Sequence, residues 1–191
     1  MSYKNLLMIE ENLGHILNRI TFIYRNQKIL TECIKNFKGF SIFKEKVGPF
    51  QKGKNYKIKL FIAIPLIKRD ILKIAFEERF EINDVQRYAI IERDDLKLKE
   101  LDNKYFLDKI KEFRRFMKKA VLSGKKAKID LDRYNSYNTN LVDSRLQKLL
   151  RLGISDLSPL DEKLLTNSEL LFVRKISEWI NIWRTHYLNQ D

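Results

Sequence analysis

The sequence is poor in the residues that cross-link or turn small folds. One cysteine, Cys33, in 191 residues excludes an intramolecular disulfide framework and a zinc site built from cysteines. Cys33 itself reads as a small buried apolar side chain rather than a nucleophile. Six glycines and three prolines leave too little turn-forming material for a loop-built scaffold. Only two histidines occur, His15 and His186. Neither has a Cys or carboxylate at ligand spacing, so neither makes a convincing metal site or general base. Long apolar runs are missing as well. The longest, Leu60 to Ile67, has eight residues, against the roughly 20 that a membrane-spanning helix needs. The opening Met1 to Leu7 runs directly into Glu10 and Glu11 with no small-residue cleavage site, unlike a secretory signal. These absences lead to the expectation of a soluble, cytoplasmic protein without a cofactor.

What is present is charge on a globular background. The chain is 44% hydrophobic and 33% charged, too apolar for disorder. Its 38 Lys and Arg against 25 Asp and Glu give a net charge of +13, which suits work beside an anionic partner such as DNA. The same lysines also serve to solvate a surface, and heavy use of charge suits a hot environment. The charge is unevenly spread. Residues 1–62 hold 12 basic and 4 acidic residues and four of the six glycines, whereas residues 63–191 hold 26 basic and 21 acidic. With the strand-like stretches concentrated in the first part, this predicts an α+β fold, predominantly α. A small β-rich domain over 1–64 precedes a helical domain over 65–191.

Residues 3–18 place Leu6, Ile9, Leu13, Ile16 and Leu17 at helical spacing. Ile20 to Tyr24 and Phe40 to Phe43 have the β-branched and aromatic content of strands, while residues 28–34 fit a strand or a helix. Val47 to Asn55 forms a loop around Gly48-Pro49. Tyr56 to Leu60 alternates strictly and predicts a strand continuing through Ile64. Pro65 is placed to open a helix over 65–76, and the Asn83/Gln86 spacing to cap another that runs to about Lys99. From Tyr105 to Leu122, the residues Phe106, Ile110, Phe113 and Met117 form one face, and Gly124 closes the helix. A polar helix follows over about 130–152, ending at Gly153. Ser158 to Asp161 and Thr166 to Glu169 have the form of helix starts.

The last predicted helix, about 167–188, carries the most. Phe172, Val173, Ile176, Trp179, Ile180, Ile182, Trp183 and Tyr187 spread over roughly 180° of its circumference, where a helix lying on one core needs only about 100°. This predicts an assembly surface centred on Phe172, Ile176, Trp179 and Trp183. Residues 109–128 supply the best candidate for a phosphate-facing patch, with Arg114, Arg115, Lys118, Lys119, Lys125 and Lys126 in a stretch that holds one acid, Glu112. The stretch lacks exposed aromatics between the charges, so contact with a nucleic-acid backbone, weak and without sequence reading, is the most it implies.

Two chemistries are set aside. Gly48-x-x-x-x-Gly53-Lys54-Asn55 comes within one residue of a phosphate-binding loop. That loop requires a Ser or Thr after the Lys and a helix beyond it, and here Asn55 and an alternating strand follow. The carboxylates Glu92, Asp94 and Asp95 are interleaved with Lys and Arg, as on solvated faces. Nothing in these patterns asks for catalysis.

Two segments resemble subunits of the GINS complex of the "partner of Sld five" two/three class. The first is Gly48-Pro49-Phe50, then Gly53, the apolar stretch Ile58 to Ile64 and the short basic Leu66-Ile67-Lys68-Arg69. It is similar to the small-domain core of those subunits, in which Gly48, Pro49, Phe50 and Gly53 shape the turn. The second, Leu157 to Trp183, is similar to their C-terminal signature in Leu164 to Phe172 and the helix after it. Residues 1–45 carry no part of the likeness. The resemblance implies an archaeal, non-catalytic scaffold for DNA replication. Such a subunit pairs with a sister subunit of reversed domain order in a hetero-tetramer and meets the MCM helicase and a Cdc-forty-five/RecJ-like protein, with primase as a further contact, at the chromosome. The alternative is an independent basic protein that contacts the DNA phosphate backbone.

Overall fold

The computed structural model describes residues 3–42, 44–155 and 157–188, with side chains from residue 13 onward. The fold is α+β and predominantly α, with its strands in the first half and helices throughout the second. Two compact units divide the chain between Arg79 and Phe80.

The first unit opens with α1, Tyr3–Arg25. The strand expected over Ile20 to Tyr24 is helix instead. Ile16, Leu17, Ile20, Thr21 and Tyr24 continue the spacing begun at Leu13, and Thr21 and Tyr24 are buried while Phe22 and Ile23 face solvent. A sustained helical period outweighs the β propensity of a short β-branched run. The side chains of Leu6 and Ile9 lie outside the described residues, as does Phe43.

β1, Lys28–Cys33, resolves the ambiguous stretch as the central strand of a three-stranded sheet. It pairs antiparallel with β4 (Asn55–Lys59) on one side and β5 (Leu72–Ile74) on the other. β2 (Phe40–Ile42) and β3 (Glu45–Val47) form a separate hairpin.

The strand expected through Ile64 stops at Lys59, where α2, Leu60–Lys68, begins. The buried positions switch from alternation to Leu60, Ala63 and Leu66, one side of a helix. Pro65 therefore lies inside α2 rather than at the start of a helix. The helix expected over 65–76 ends at Lys68, and Asp70 takes a left-handed conformation, φ 53°. Leu72 and Ile74 then alternate into the sheet opposite Cys33 and Thr31. Because β5 completes that sheet, residues 65–79 belong to the first unit, whereas the sequence reading drew the boundary at 64/65. Cys33, Phe50, Leu66, Ile71 and Leu72 form the core of this unit.

The second unit is helical: α3 (Ile82–Asp94), α4 (Phe106–Leu122), α5 (Lys128–Ile154), α6 (Pro159–Leu164) and α7 (Asn167–Leu188). The capping box of α3 is Glu81 with Asp84, not Asn83 with Gln86, and the helix ends at Asp94, short of Lys99. Phe106, Ile110, Phe113 and Met117 are all buried, as the face of α4 predicts. Phe80 meets Phe106 and Phe113 edge to face, as Tyr88 meets Phe106, while the Phe80 and Tyr88 rings are stacked. Gly124, at φ 69°, closes α4. Gly153 does not terminate α5 but lies within it. A Cβ there would sit 2.8 Å from Ile176 Cγ2, so glycine lets α7 approach α5 closely.

Candidate interaction surface

The helical unit is organised by a buried charge. Arg145 on α5 is 1% exposed, and all five of its N–H donors are used. Nε donates to Glu169 Oε1 at 2.5 Å and one terminal nitrogen to Glu169 Oε2 at 2.9 Å. The remaining donors reach Glu92 Oε2 at 2.8 Å and the carbonyls of Lys99 and Leu164. Lys148 donates to Glu92 Oε1 at 2.6 Å and to the carbonyls of Glu92 and Lys97. Two cations thus meet two carboxylates, and α3, α5, α6 and α7 are tied together. Burial pushes the Arg145 guanidinium down, but the hydrogen bonds and charges of Glu169 and Glu92 outweigh it and hold it above its ordinary value.

This corrects the sequence reading of Glu92 as a solvated carboxylate. Its signal was positional: Val85, Ala89 and Glu92 share one face of α3, and Leu141, Arg145 and Leu149 share one face of α5. A charge in an otherwise apolar row needs a partner in the facing row.

Glu169 has a second task. Thr166 N–H and Oγ1 donate to its Oε2, each at 2.9 Å, and Glu169 N–H donates to Thr166 Oγ1 at 3.3 Å. This is the reciprocal cap that starts α7. Opposite it, Lys104 Nζ donates to the carbonyls of Glu162, Lys163 and Leu165, closing the end of α6.

α7 runs in the same direction as α5, since Arg145 meets Glu169 and Gly153 meets Ile176. α5 stops at Ile154, and α7 continues. From Ile176 to Leu188 the helix advances about 18 Å. Arg184 reaches back, donating to the Ile154 carbonyl at 3.2 Å and so satisfying the end of α5. Of the four residues singled out on this helix, Phe172 and Ile176 are half-buried, while Trp179 and Trp183 are exposed, at 44% and 63%. Ile182, Tyr187 and Leu188 are exposed beside them, and the Trp183 and Tyr187 rings lie 5.0 Å apart.

A second apolar row was missed in the sequence. Val142, Leu146, Leu150 and Ile154 recur every four residues on α5 and are all exposed. Their spacing was visible, but the stretch is polar on average and predicts only a polar helix. Ile154 is the residue whose carbonyl Arg184 caps, so this row ends where the extension of α7 begins.

The basic stretch is partly spoken for. Arg115 pairs with Glu112 at 2.5 Å, and Arg114 donates to Asn135 Oδ1 at 2.6 Å. Lys119 and Lys125 also hold interactions within the protein. Lys118 and Lys126 are exposed around the α4–α5 turn.

In the first unit, Gly48 (φ 100°) precedes a cis peptide to Pro49, Phe50 is buried at 2% exposure, and Gly53 has φ 83°. Phe50 packs edge-on against Tyr56, with ring centroids 4.9 Å apart. A Cβ on Gly48 would meet Gly39 Cα at 2.8 Å, so the ends of the β2–β3 hairpin cross only because both residues are glycine. After Gly53 and Lys54 the chain enters β4, not a helix. Cys33 is buried, and its thiol donates to the Lys35 carbonyl. His15 and His186 are exposed.

Among the described residues no cluster of His, Cys, Asp or Glu could hold a metal ion, and no helix is long and apolar enough to cross a membrane. A scan against protein-family models finds no match, and neither does a search of curated proteins.

Proposed function

We propose that this chain is a non-catalytic scaffold subunit of a GINS-type DNA replication complex. In this reading the helical unit builds the assembly with a sister subunit, and the first unit docks further partners. The observation that carries the assembly role is the exposed apolar side chains of α7, Trp179, Ile182, Trp183, Tyr187 and Leu188, together with the exposed row Val142, Leu146, Leu150 and Ile154 on α5. Exposed apolar side chains gathered in this number on neighbouring helices mark an interaction site, and tryptophan concentrates binding energy at interfaces. The GINS assignment itself rests on the resemblance in residues 48–69 and 157–183. From it follow the expected partners: the MCM helicase, a Cdc-forty-five/RecJ-like protein and primase. The alternative, backbone contact with DNA, draws on Lys118 and Lys126 but loses weight with the pairing of Arg115 and Arg114 inside the protein.

The test is isolation of the tagged chain from its native cells, with the co-purifying chains identified, for the wild type and for Leu146→Glu with Leu150→Glu. The scaffold reading expects a sister chain of reversed domain order, lost in the double variant while the variant keeps its helical circular dichroism. A wild-type chain that purifies alone and sediments as a monomer contradicts it.

A further inference from the structure

The sheet of the first unit ends on an open edge, since β4 is bonded to β1 on one side only. The Cys33 N–H bonds the Lys54 carbonyl, and the Leu60 N–H bonds the Gln27 carbonyl. Within that frame Lys28↔Lys59, Leu30↔Lys57 and Glu32↔Asn55 are the non-hydrogen-bonded pairs. The peptide groups of Asn55, Lys57 and Lys59 therefore turn away from β1. The N–H groups of these residues, and the carbonyls of Asn55 and Lys57, meet no protein partner among the described residues.

The same residues carry the charge. Tyr56 and Ile58 turn toward the core, and Lys57 and Lys59 are exposed on the opposite face. Lys59 stands directly across from Lys28 in a pair type that brings side chains close, and like charges so placed are unfavourable. Lys28 and Lys57 have no ion-pair partner among the described residues. Glu32, the acid on that face of β1, is occupied by Lys73 at 2.9 Å.

Lysines on an edge ordinarily keep a sheet from pairing with copies of itself. That repulsion is selective, because it rejects a second basic edge and favours an acidic one. We infer that the outer edge of β4 is a docking site for an acidic, extended peptide segment of a partner protein. The segment adds as a further strand, its backbone bonding the free groups of Asn55, Lys57 and Lys59 and its alternate Asp or Glu side chains lying over Lys28, Lys57 and Lys59. In strand addition the main chain supplies affinity and alternate side chains supply specificity. Side chains on one face of a strand repeat every ~7 Å, so acids two residues apart meet lysines two residues apart. A nucleic-acid backbone would use the charge but leave the peptide groups of the edge unpaired. This site belongs to the first unit and does not depend on the GINS reading.

The experiment uses the full chain and fluorescence anisotropy of a labelled peptide alternating Glu with Thr. Its controls are the same peptide N-methylated at every residue and a labelled single-stranded oligonucleotide. Binding to the unmodified peptide, lost on N-methylation and weakened at least about tenfold by Lys57→Glu with Lys59→Glu, is the expected result. Lys38→Glu with Lys46→Glu makes the same change in net charge elsewhere in the first unit and leaves binding within about twofold. Circular dichroism verifies that both double variants fold. No binding of the unmodified peptide, equal binding of the N-methylated one, or displacement by the oligonucleotide at lower concentration overturns the proposal. So does equal weakening by the two double variants.

Discussion

Arg145 shows how one side chain can be weak evidence for stability and still be costly to remove. A buried ion pair contributes little net, because desolvation offsets the attraction, but removing one partner strands the others. Arg145→Met leaves Glu92 and Glu169 facing each other without their shared cation, and the expected loss is about 3–5 kcal/mol, measured as a shift of the urea unfolding midpoint. Gly153→Ala sets two effects against each other. Alanine favours a helix over glycine by up to about 1 kcal/mol, but its Cβ would press on Ile176 at 2.8 Å, and overpacking costs about 1–3 kcal/mol. Net destabilisation is expected, and Ile176→Ala in the same chain should relieve the steric part, as a double-mutant cycle will show. Tyr88 supplies a pH signature. Burial and its hydrogen bond to Asp102 push its pKa up from 10.0 to about 12. Between those values the unfolded chain releases a proton that the folded chain keeps, so this contribution to stability is full below pH 10 and declines toward pH 12. Chemical denaturation of Tyr88→Phe should show a shallower alkaline decline than the wild type.

At the scale of elements, legibility followed the length of the pattern. α4 was readable because Phe106, Ile110, Phe113 and Met117 hold one period over several turns. The misreadings came where two periods meet within a few residues. Ile20 to Tyr24 has strand-like composition but continues a helical row. Phe61 to Ile64 follows an alternating strand without a break, and only the burial of Leu60, Ala63 and Leu66 reveals the change of period. β5 was hidden because three residues have no period of their own; its place is decided by pairing with β1, a tertiary fact. Glu92 and Arg145 were not legible as partners because they are 53 residues apart in sequence. The width of the apolar arc on α7 was legible, and Trp179 and Trp183 on that arc are exposed, at 44% and 63%. If that extension binds a partner, Trp179→Ala and Trp183→Ala should each leave thermal unfolding of the isolated chain nearly unchanged. Each should weaken association by at least about tenfold, as an interface anchor worth about 2 kcal/mol does. Sedimentation against the co-purified partner measures this directly.

For the whole molecule, the excess of positive charge divides unequally. Residues 1–79 hold 16 basic and 7 acidic residues, and residues 80–191 hold 22 and 18. The first unit is therefore the more strongly cationic, and its small sheet presents lysines on an edge. Any affinity for duplex DNA should be sequence-independent and steeply salt-dependent, falling by about 0.9 log units per tenfold salt for each phosphate contact. Titrations of Lys118→Ala with Lys126→Ala should show whether the α4–α5 turn supplies such contacts, through a shallower slope.

The carboxylate of Glu169 both caps α7 and holds Arg145, and this links a local event to a distant one. The first turn of α7 cannot close its cap in the native geometry unless α5 is in place, and α5 cannot satisfy Arg145 unless α3 and α7 are. Helix ends usually fray independently of the body they belong to. Here the start of α7 should instead open only with the bundle, as one cooperative unit. Its amides at Thr166, Glu169 and Leu170 should exchange with solvent deuterium as slowly as the centre of α5. The far end of the same helix, past Ile176, should exchange within the dead time of the measurement until a partner covers it.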